Sequence, residues 1–199
     1  MANFIDEFMG TYGSKVSKDL SKTLGVNKNV LKQIIPQIAP LILGGLKKQK
    51  DNYGGEARVD HILNKYGSSD VLSNLGGLFS SKAKESNPDP RLGGLLGDSG
   101  LQASDAIAKN FNLDSGLVMK LIPMLAPVIL GALTKKRDTG AGSGGIGALL
   151  DQDGDGSVLD DVAGFLLNNM GGGSRKKKRG GGLGGALGGI LGGLLGKKR

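Results

Sequence analysis

Apolar residues along the chain are concentrated in two segments that resemble each other. Residues 34–46 read IIPQIAPLILGGL and residues 121–133 read LIPMLAPVILGAL, each with two prolines four positions apart. An apolar face at helical spacing usually packs into a core, so we predict a core helix in each segment. A proline inside a helix removes a backbone hydrogen bond and clashes with the preceding turn. We therefore expect each helix to be kinked, or to stop before its first proline and restart near it.

The two segments belong to a longer internal repeat. Shifting the chain by 87 positions aligns residues 4–80 with residues 91–167 without a gap. Identical pairs include Gly13/Gly100, Pro36/Pro123, Pro40/Pro127, Gly44/Gly131, Gly67/Gly154 and Val71/Val158. Self-similarity of this length indicates tandem structural units. We predict a first unit over 1–80, a polar linker over 81–90, a second unit over 91–170 and a separate tail over 171–199.

Other apolar positions of the first unit also recur at helical spacing. They predict a short helix near the N-terminus and a second helix through positions 16, 20 and 24 that ends at Gly25. Asn27 is a favoured N-cap for the proline-containing helix, as is its counterpart Asp114. We place the end of that helix at Gly44-Gly45, or at Lys47-Lys48, where cations suit a helix C-terminus.

Two further elements are expected at 56–66 and 70–79. No long stretch alternates with the period of two that a half-buried strand shows. The predicted fold class is therefore all-α, with two tandem small helical-bundle units built around kinked, proline-containing core helices. The C-terminal tail is expected to be disordered or weakly helical.

Composition and charge exclude several functional classes. The chain has no cysteine and one histidine, His61, which excludes disulfides, thiolate metal sites and multi-histidine centres. The formal charge of +8 comes entirely from eight basic residues within 175–199, because the other 18 basic residues balance 18 acidic residues that all precede position 175. An anionic partner is therefore expected for the tail and not for the body.

These patterns resemble a known bacterial family. A helix ending in Leu24-Gly25-Val26, an Asn or Asp cap and an apolar helix with proline are similar to the YidB-like proteins, a family classed as a domain of unknown function. The resemblance covers 4–80 and 91–167. It implies an all-helical fold, with no established enzymatic activity and no established partner, and it does not extend to the tail.

One loop carries the chemistry of a metal site. Residues 151–161 read DQDGDGSVLDD, with aspartates at positions 1, 3 and 5 and glycine at position 6, which is the spacing of an EF-hand-type calcium loop. Position 12 is Val162 instead of the usual bidentate Glu, so we expect a shortened loop closed by one of the late aspartates. The predicted ligands are Asp151, Asp153, Asp155, Ser157, Asp160 and Asp161. Ca²⁺ is favoured over Mg²⁺, since Mg²⁺ prefers few carboxylates and keeps its waters. The alternative is a solvated acidic turn.

The aligned stretch of the first unit lacks these ligands. Residues 64–74 read NKYGSSDVLSN, and every acid of the second-unit loop is replaced there. We predict one metal site per chain, with the first unit as scaffold.

The tail leaves three alternatives open. Its uncharged part, GGGLGGALGGILGGLLG over 180–196, follows RKKKR and precedes KKR. It is either disordered until bound, or a glycine zipper that associates with membranes or with itself, or a nucleic-acid contact through RKKKR. A helix of this length spans about 26 Å, short of the roughly 30 Å of a bilayer core.

No catalytic set stands out, so neither an enzyme nor a small-molecule substrate is expected. The GSGGIG sequence at 142–147 lacks the preceding strand of a nucleotide site and is interpreted as a flexible linker. We expect a non-enzymatic structural or interaction protein with one calcium-type loop and a tail that contacts an anionic membrane or partner chains. The alternative is a nucleic-acid-associated protein. The N-terminus MANFIDEFMG does not match a secretion signal, so a cytoplasmic location is expected, with membrane association left open.

Overall fold

The computed structural model describes residues 4–140, and these residues are mostly helical. The helices are α1 (Phe4–Phe8), α2 (Ser14–Leu24), α3 (Lys28–Tyr53), α4 (Gly55–Tyr66), α5 (Leu75–Ala83), α6 (Asp98–Phe111) and α7 (Ser115–Asp138). A π-helical turn covers Met9–Gly13, and 3₁₀ turns cover Ser69–Leu72 and Leu92–Gly94. Residues 4–140 contain no strand, which confirms the all-α class for this part of the chain.

The internal repeat is visible as matching helices with matching ends. Helices α2 and α3 correspond in sequence to α6 and α7. Asn27 accepts a hydrogen bond from the Asn29 amide at 2.8 Å, and its counterpart Asp114 accepts one from the Leu117 amide at 3.0 Å. Gly25 ends α2 in the left-handed region at φ 70°, and Asn112 ends α6 at φ 50°. The predicted caps are therefore confirmed.

Both proline-containing helices are continuous, which excludes the second of the two alternatives, a helix that stops before its first proline and restarts near it. Helix α3 also runs past both predicted ends to Tyr53. The extra turns are polar and carry an ion pair between Lys47 and Asp51, 3.3 Å apart and one turn along the helix. The helix ends at Gly54, whose φ of 134° is rarely adopted by residues with side chains.

Helices α3 and α7 pack against each other at the centre of one hydrophobic core. Helix α7 also packs on α4, α5 and the Ser69–Leu72 turn, all of which belong to the first repeat. A helix of the second repeat therefore completes the core of the first. The unit boundaries inferred from the sequence stay predictions, because the later part of the second unit lies outside the described residues.

Helix α7 is long and apolar enough to cross a membrane by length and composition alone. Its most apolar window has a mean hydropathy of 2.0, but 72% of that window is buried inside the fold. The burial agrees with a core helix, which is the interpretation given to residues 121–133 from the sequence.

Two glycines bring the first-repeat turn against α7. A Cβ at Gly131 would lie 2.7 Å from the Ser68 carbonyl oxygen, and a Cβ at Gly67 would lie 2.8 Å from Thr134 Oγ1. Both distances are shorter than a real Cβ contact. The absence of side chains at these two positions therefore permits the close approach.

Candidate functional site

The residues predicted to bind metal lie outside the part of the chain that the structure describes. This applies to Asp151, Asp153, Asp155, Ser157, Asp160 and Asp161, and equally to the 142–147 segment and the tail. Within residues 4–140, no group of three or more His, Cys, Asp or Glu side chains is placed to hold a metal ion. His61 is exposed on α4.

The first-repeat counterpart of the predicted metal loop is described, and it forms a compact turn between two helices. Residues 64–74 comprise the last three residues of α4, the 3₁₀ turn and Asn74, which caps the start of α5. Ser68 Oγ accepts a hydrogen bond from the Asp70 amide at 3.2 Å, and Asn74 Oδ1 accepts one from the Gly77 amide at 3.1 Å. Leu72 is buried in the core, which fixes the turn to the body.

A cleft of about 670 Å³ lies between α4, α5, the segment from Glu85 to Leu95 and α7. Its floor consists of the buried apolar residues Ile62, Pro123, Ala126 and Leu130. Its walls are half-buried apolar side chains of Leu78, Leu92, Leu95 and Pro127. Its polar lining comes from Gln49, Arg58, Lys65, Lys82, Glu85, Asn87 and Asp89. An apolar cavity with a few polar groups is the usual form of a ligand site, and the volume is within the usual range.

Helix α4 contributes one face to the cleft. Arg58, Ile62 and Lys65 follow one another at intervals of four and three residues, so they lie on the same side of the helix. Asp60 and Asn64 lie elsewhere on α4 and accept hydrogen bonds from Arg137 of α7, each at 3.0 Å. These two hydrogen bonds fix the orientation of α4 on α7, and therefore which face of α4 lines the cleft.

Arg137 is well suited to this positioning role because it stays charged. Its side-chain hydrogen bond with Asp138 raises the pKa of the guanidinium, and the bond with Asp60 adds to the effect, while partial burial acts in the opposite direction. Since a raised cation pKa favours the charged form, the contribution of Arg137 to stability is lost only when the pH rises through its strongly alkaline folded pKa.

The acids of the cleft are engaged with neighbours of their own. Lys82 Nζ lies 2.6 Å from Glu85 Oε1 in an ion pair. The Asp89 carboxylate accepts hydrogen bonds from the amides of Arg91 at 2.9 Å and Gly93 at 2.7 Å. The Asp89 carboxylate therefore organises the backbone of the cleft wall, and Glu85 neutralises Lys82.

Two cations of the cleft have no acidic partner among residues 4–140. Arg58 Nε donates to Gln49 Oε1 at 3.0 Å, which is a neutral acceptor. Lys65 Nζ lies 5.2 Å from the centre of the Tyr66 ring, a cation–π contact. Both side chains are exposed. The cleft therefore combines an apolar floor with uncompensated positive charge.

The prolines of α7 change the chemistry of the cleft floor. Pro127 has no amide proton, so it cannot donate the regular helical hydrogen bond to the carbonyl of Pro123. Both residues line the cleft. The carbonyl of Pro123 therefore lacks its regular helical donor.

Sequence reasoning did not find this cleft. Its lining comes from separate elements whose proximity depends on how α7 packs across the first repeat. The one local signal is the pair of cations that flank Ile62 on α4, and such a pair is also typical of an ordinary solvated helix face.

Comparison with known proteins places the chain in a family. It matches the DUF937 family, described as a bacterial protein of unknown function, over residues 6–136 and again over residues 127–199. The second match includes residues 171–199, so the expectation that the family resemblance stops before the tail was wrong. The chain therefore belongs to this family, and the bacterial, uncharacterised assignment made from the sequence is confirmed at that level. No curated protein and no solved structure matches the chain.

Proposed function

We propose that this protein is a non-enzymatic interaction protein with one calcium-type loop in its second repeat and a basic tail that contacts anionic membrane surfaces. The observation that carries the proposal is that the clustered aspartates and the excess basic residues occupy two separate segments of the sequence. Residues 151–161 concentrate five aspartates, and residues 175–199 hold the entire positive excess. The helical body that precedes both segments serves as the scaffold.

The calcium site is supported by the structure of its first-repeat counterpart. Residues 64–74 form a turn between the end of α4 and the start of α5, which is a helix–loop–helix frame. A loop between two helices at the same place in the second repeat would bring the aspartates at positions 1, 3 and 5 toward one point if the first helix ended before position 1, earlier than α4 does, because Asn64 and Tyr66, the counterparts of Asp151 and Asp153, still lie in α4. Ca²⁺ takes six to eight oxygen ligands, so it would relieve the repulsion among these carboxylates.

Terbium luminescence and thermal unfolding with Ca²⁺ test the site. We expect one ion per chain, and a stabilisation of about 2.7 kcal/mol when Ca²⁺ is present at about 100 times its dissociation constant. Asp153→Ala should abolish both effects. Asp70→Ala in the first-repeat turn is the matched control and should preserve them. Two equivalent sites, or equal losses in both variants, would contradict the proposal.

Co-sedimentation with vesicles tests the tail. The full chain should bind phosphatidylserine-containing vesicles and release them as salt increases, because screening weakens the attraction of basic residues for anionic headgroups. The 1–174 truncation should stay in the supernatant. Equal binding of both proteins would exclude the tail as the contact. Steeply salt-dependent binding of the full chain to DNA, without vesicle binding, would favour the nucleic-acid alternative.

A further inference from the structure

We infer that the cleft between α4, α5 and α7 binds a small amphipathic anion, with a carboxylate or phosphate head at Arg58 and an apolar body over the proline floor of α7. This inference is independent of the calcium loop and of the tail. It depends only on residues 4–140.

The head group is assigned by the geometry of Arg58. Its Nε is held by Gln49 Oε1 at 3.0 Å, which leaves the two terminal nitrogens of the guanidinium without a partner among the described residues. A guanidinium presents pairs of N–H groups that match the two oxygens of a carboxylate or phosphate. Gln49 therefore acts as a positioning residue that orients the two terminal nitrogens of the Arg58 guanidinium.

The second cation strengthens the selection for an anion. Lys65 lies two helical turns after Arg58 on the same face of α4, and neither residue has an acidic partner among residues 4–140. The two acids of the cleft are occupied by Lys82 and by backbone amides. A neutral or cationic head would leave this positive charge uncompensated.

The apolar body is assigned by the floor and walls. Ile62, Ala126 and Leu130 are buried, and Leu78, Leu95 and Pro127 are half-buried beside them. Burial of a ligand's hydrocarbon against these side chains removes apolar surface from water, which is the general driving force for such binding. The cleft volume of about 670 Å³ is large enough for a ligand with a hydrocarbon chain of medium length, and not only for a single ion.

A single indole at the cleft provides the measurement. The chain has no tryptophan, so the tryptophan fluorescence of a full-length Tyr66→Trp variant comes only from the rim of the cleft. Octanoate, octyl phosphate, octanol and octyltrimethylammonium are titrated below their aggregation limits. We expect saturable one-to-one binding of octanoate, octyl phosphate or both, and at least tenfold weaker binding of octanol and of the cation. The response to the two anions decides between a carboxylate and a phosphate head.

Variants in the same background locate the head group. Arg58→Gln should weaken anion binding about tenfold, since exposed charged contacts contribute modestly. Gln49→Leu should weaken it less, and octanol binding should stay unchanged in both. The matched control is Lys18→Gln, which removes an exposed cation of α2 outside the cleft. Circular dichroism verifies that each variant is folded. Octanol binding as tight as octanoate, or equal losses in Arg58→Gln and Lys18→Gln, would overturn the inference.

Discussion

Gly67 shows how a single missing side chain supports the fold. It follows α4, and a Cβ there would meet Thr134 Oγ1 at 2.8 Å and the carbonyl oxygens of Leu130 and Leu63 at 2.9 Å each. Two of these contacts are backbone atoms of helices, which cannot move aside cheaply. The residue therefore sets how closely the first repeat approaches α7.

The first prediction follows from this contact. Gly67→Ala should lower the free energy of unfolding by about 1–3 kcal/mol, the usual cost of inserting a carbon into a tightly packed site. Gly76→Ala in α5 is the control, because nothing lies within 4 Å of its Cβ position. That change should be neutral or stabilising by up to about 1 kcal/mol, since Ala favours helix over Gly. Urea denaturation measures both, and equal effects would contradict the close-packing argument.

Helix caps provide the second prediction, at the scale of the element. Asn27→Ala and Asp114→Ala each remove the side-chain acceptor at the start of a central helix. Each should lower the free energy of unfolding by about 1 kcal/mol. Asp114→Asn keeps an acceptor and should cost much less, which controls for the loss of charge. The caps lie on different helices, so a double variant with strongly non-additive losses would show that the two sites are coupled.

The caps were predictable because capping depends on a few neighbouring residues. The same holds for Gly25, whose left-handed conformation suits glycine, and for the apolar spacing that placed Val16 and Leu20 in the core. The length of α3 was not predictable in this way. Its last turns beyond Leu46 are polar, and their helical state depends on Lys47, Asp51 and the terminating Gly54 more than on apolar periodicity.

The prolines of α7 give the third prediction. Pro127→Ala restores an amide donor for the Pro123 carbonyl and should raise the free energy of unfolding by about 1 kcal/mol or more, since an interior proline costs up to about 3 kcal/mol. Loss of the half-buried ring offsets part of this gain. The same change removes a half-buried apolar ring from the lining of the cleft, so it should also weaken anion binding there.

Pro88→Ala serves as the control for that variant. Pro88 lies in the loop between α5 and the Leu92–Gly94 turn, where proline restricts the unfolded chain. Its replacement should lower the free energy of unfolding by about 0.4–1 kcal/mol. Thermal unfolding of both variants gives the comparison. A marked loss of stability in Pro127→Ala would show that packing of the ring outweighs the backbone cost.

At the scale of the whole molecule, sequence reasoning found the repeat but not the way its copies combine. Periodicity assigns an apolar face to each helix, and it does not say which helix covers that face. In the structure, α7 packs on α4, α5 and the Ser69–Leu72 turn as well as on α3. The cleft exists because of this arrangement, since Pro123 and Pro127 come from one repeat and Arg58 and Lys65 from the other.

The last prediction tests whether the first repeat depends on α7. A 1–90 fragment retains α1–α5 but lacks α7, whose nine large buried apolar side chains are Val118, Leu121, Ile122, Met124, Leu125, Val128, Ile129, Leu130 and Leu133. Full burial of each contributes about 1.5–3 kcal/mol, whereas a whole domain is stable by only about 5–15 kcal/mol. Loss of even part of these contacts should therefore unfold the fragment. We expect 1–90 to show no cooperative thermal transition by circular dichroism, and a 1–140 fragment that keeps α7 to show one.

Addition of a 91–199 fragment to 1–90 should restore helicity in a concentration-dependent way. If 1–90 alone melts cooperatively near the temperature of the full chain, the first repeat folds independently and α7 only docks onto it.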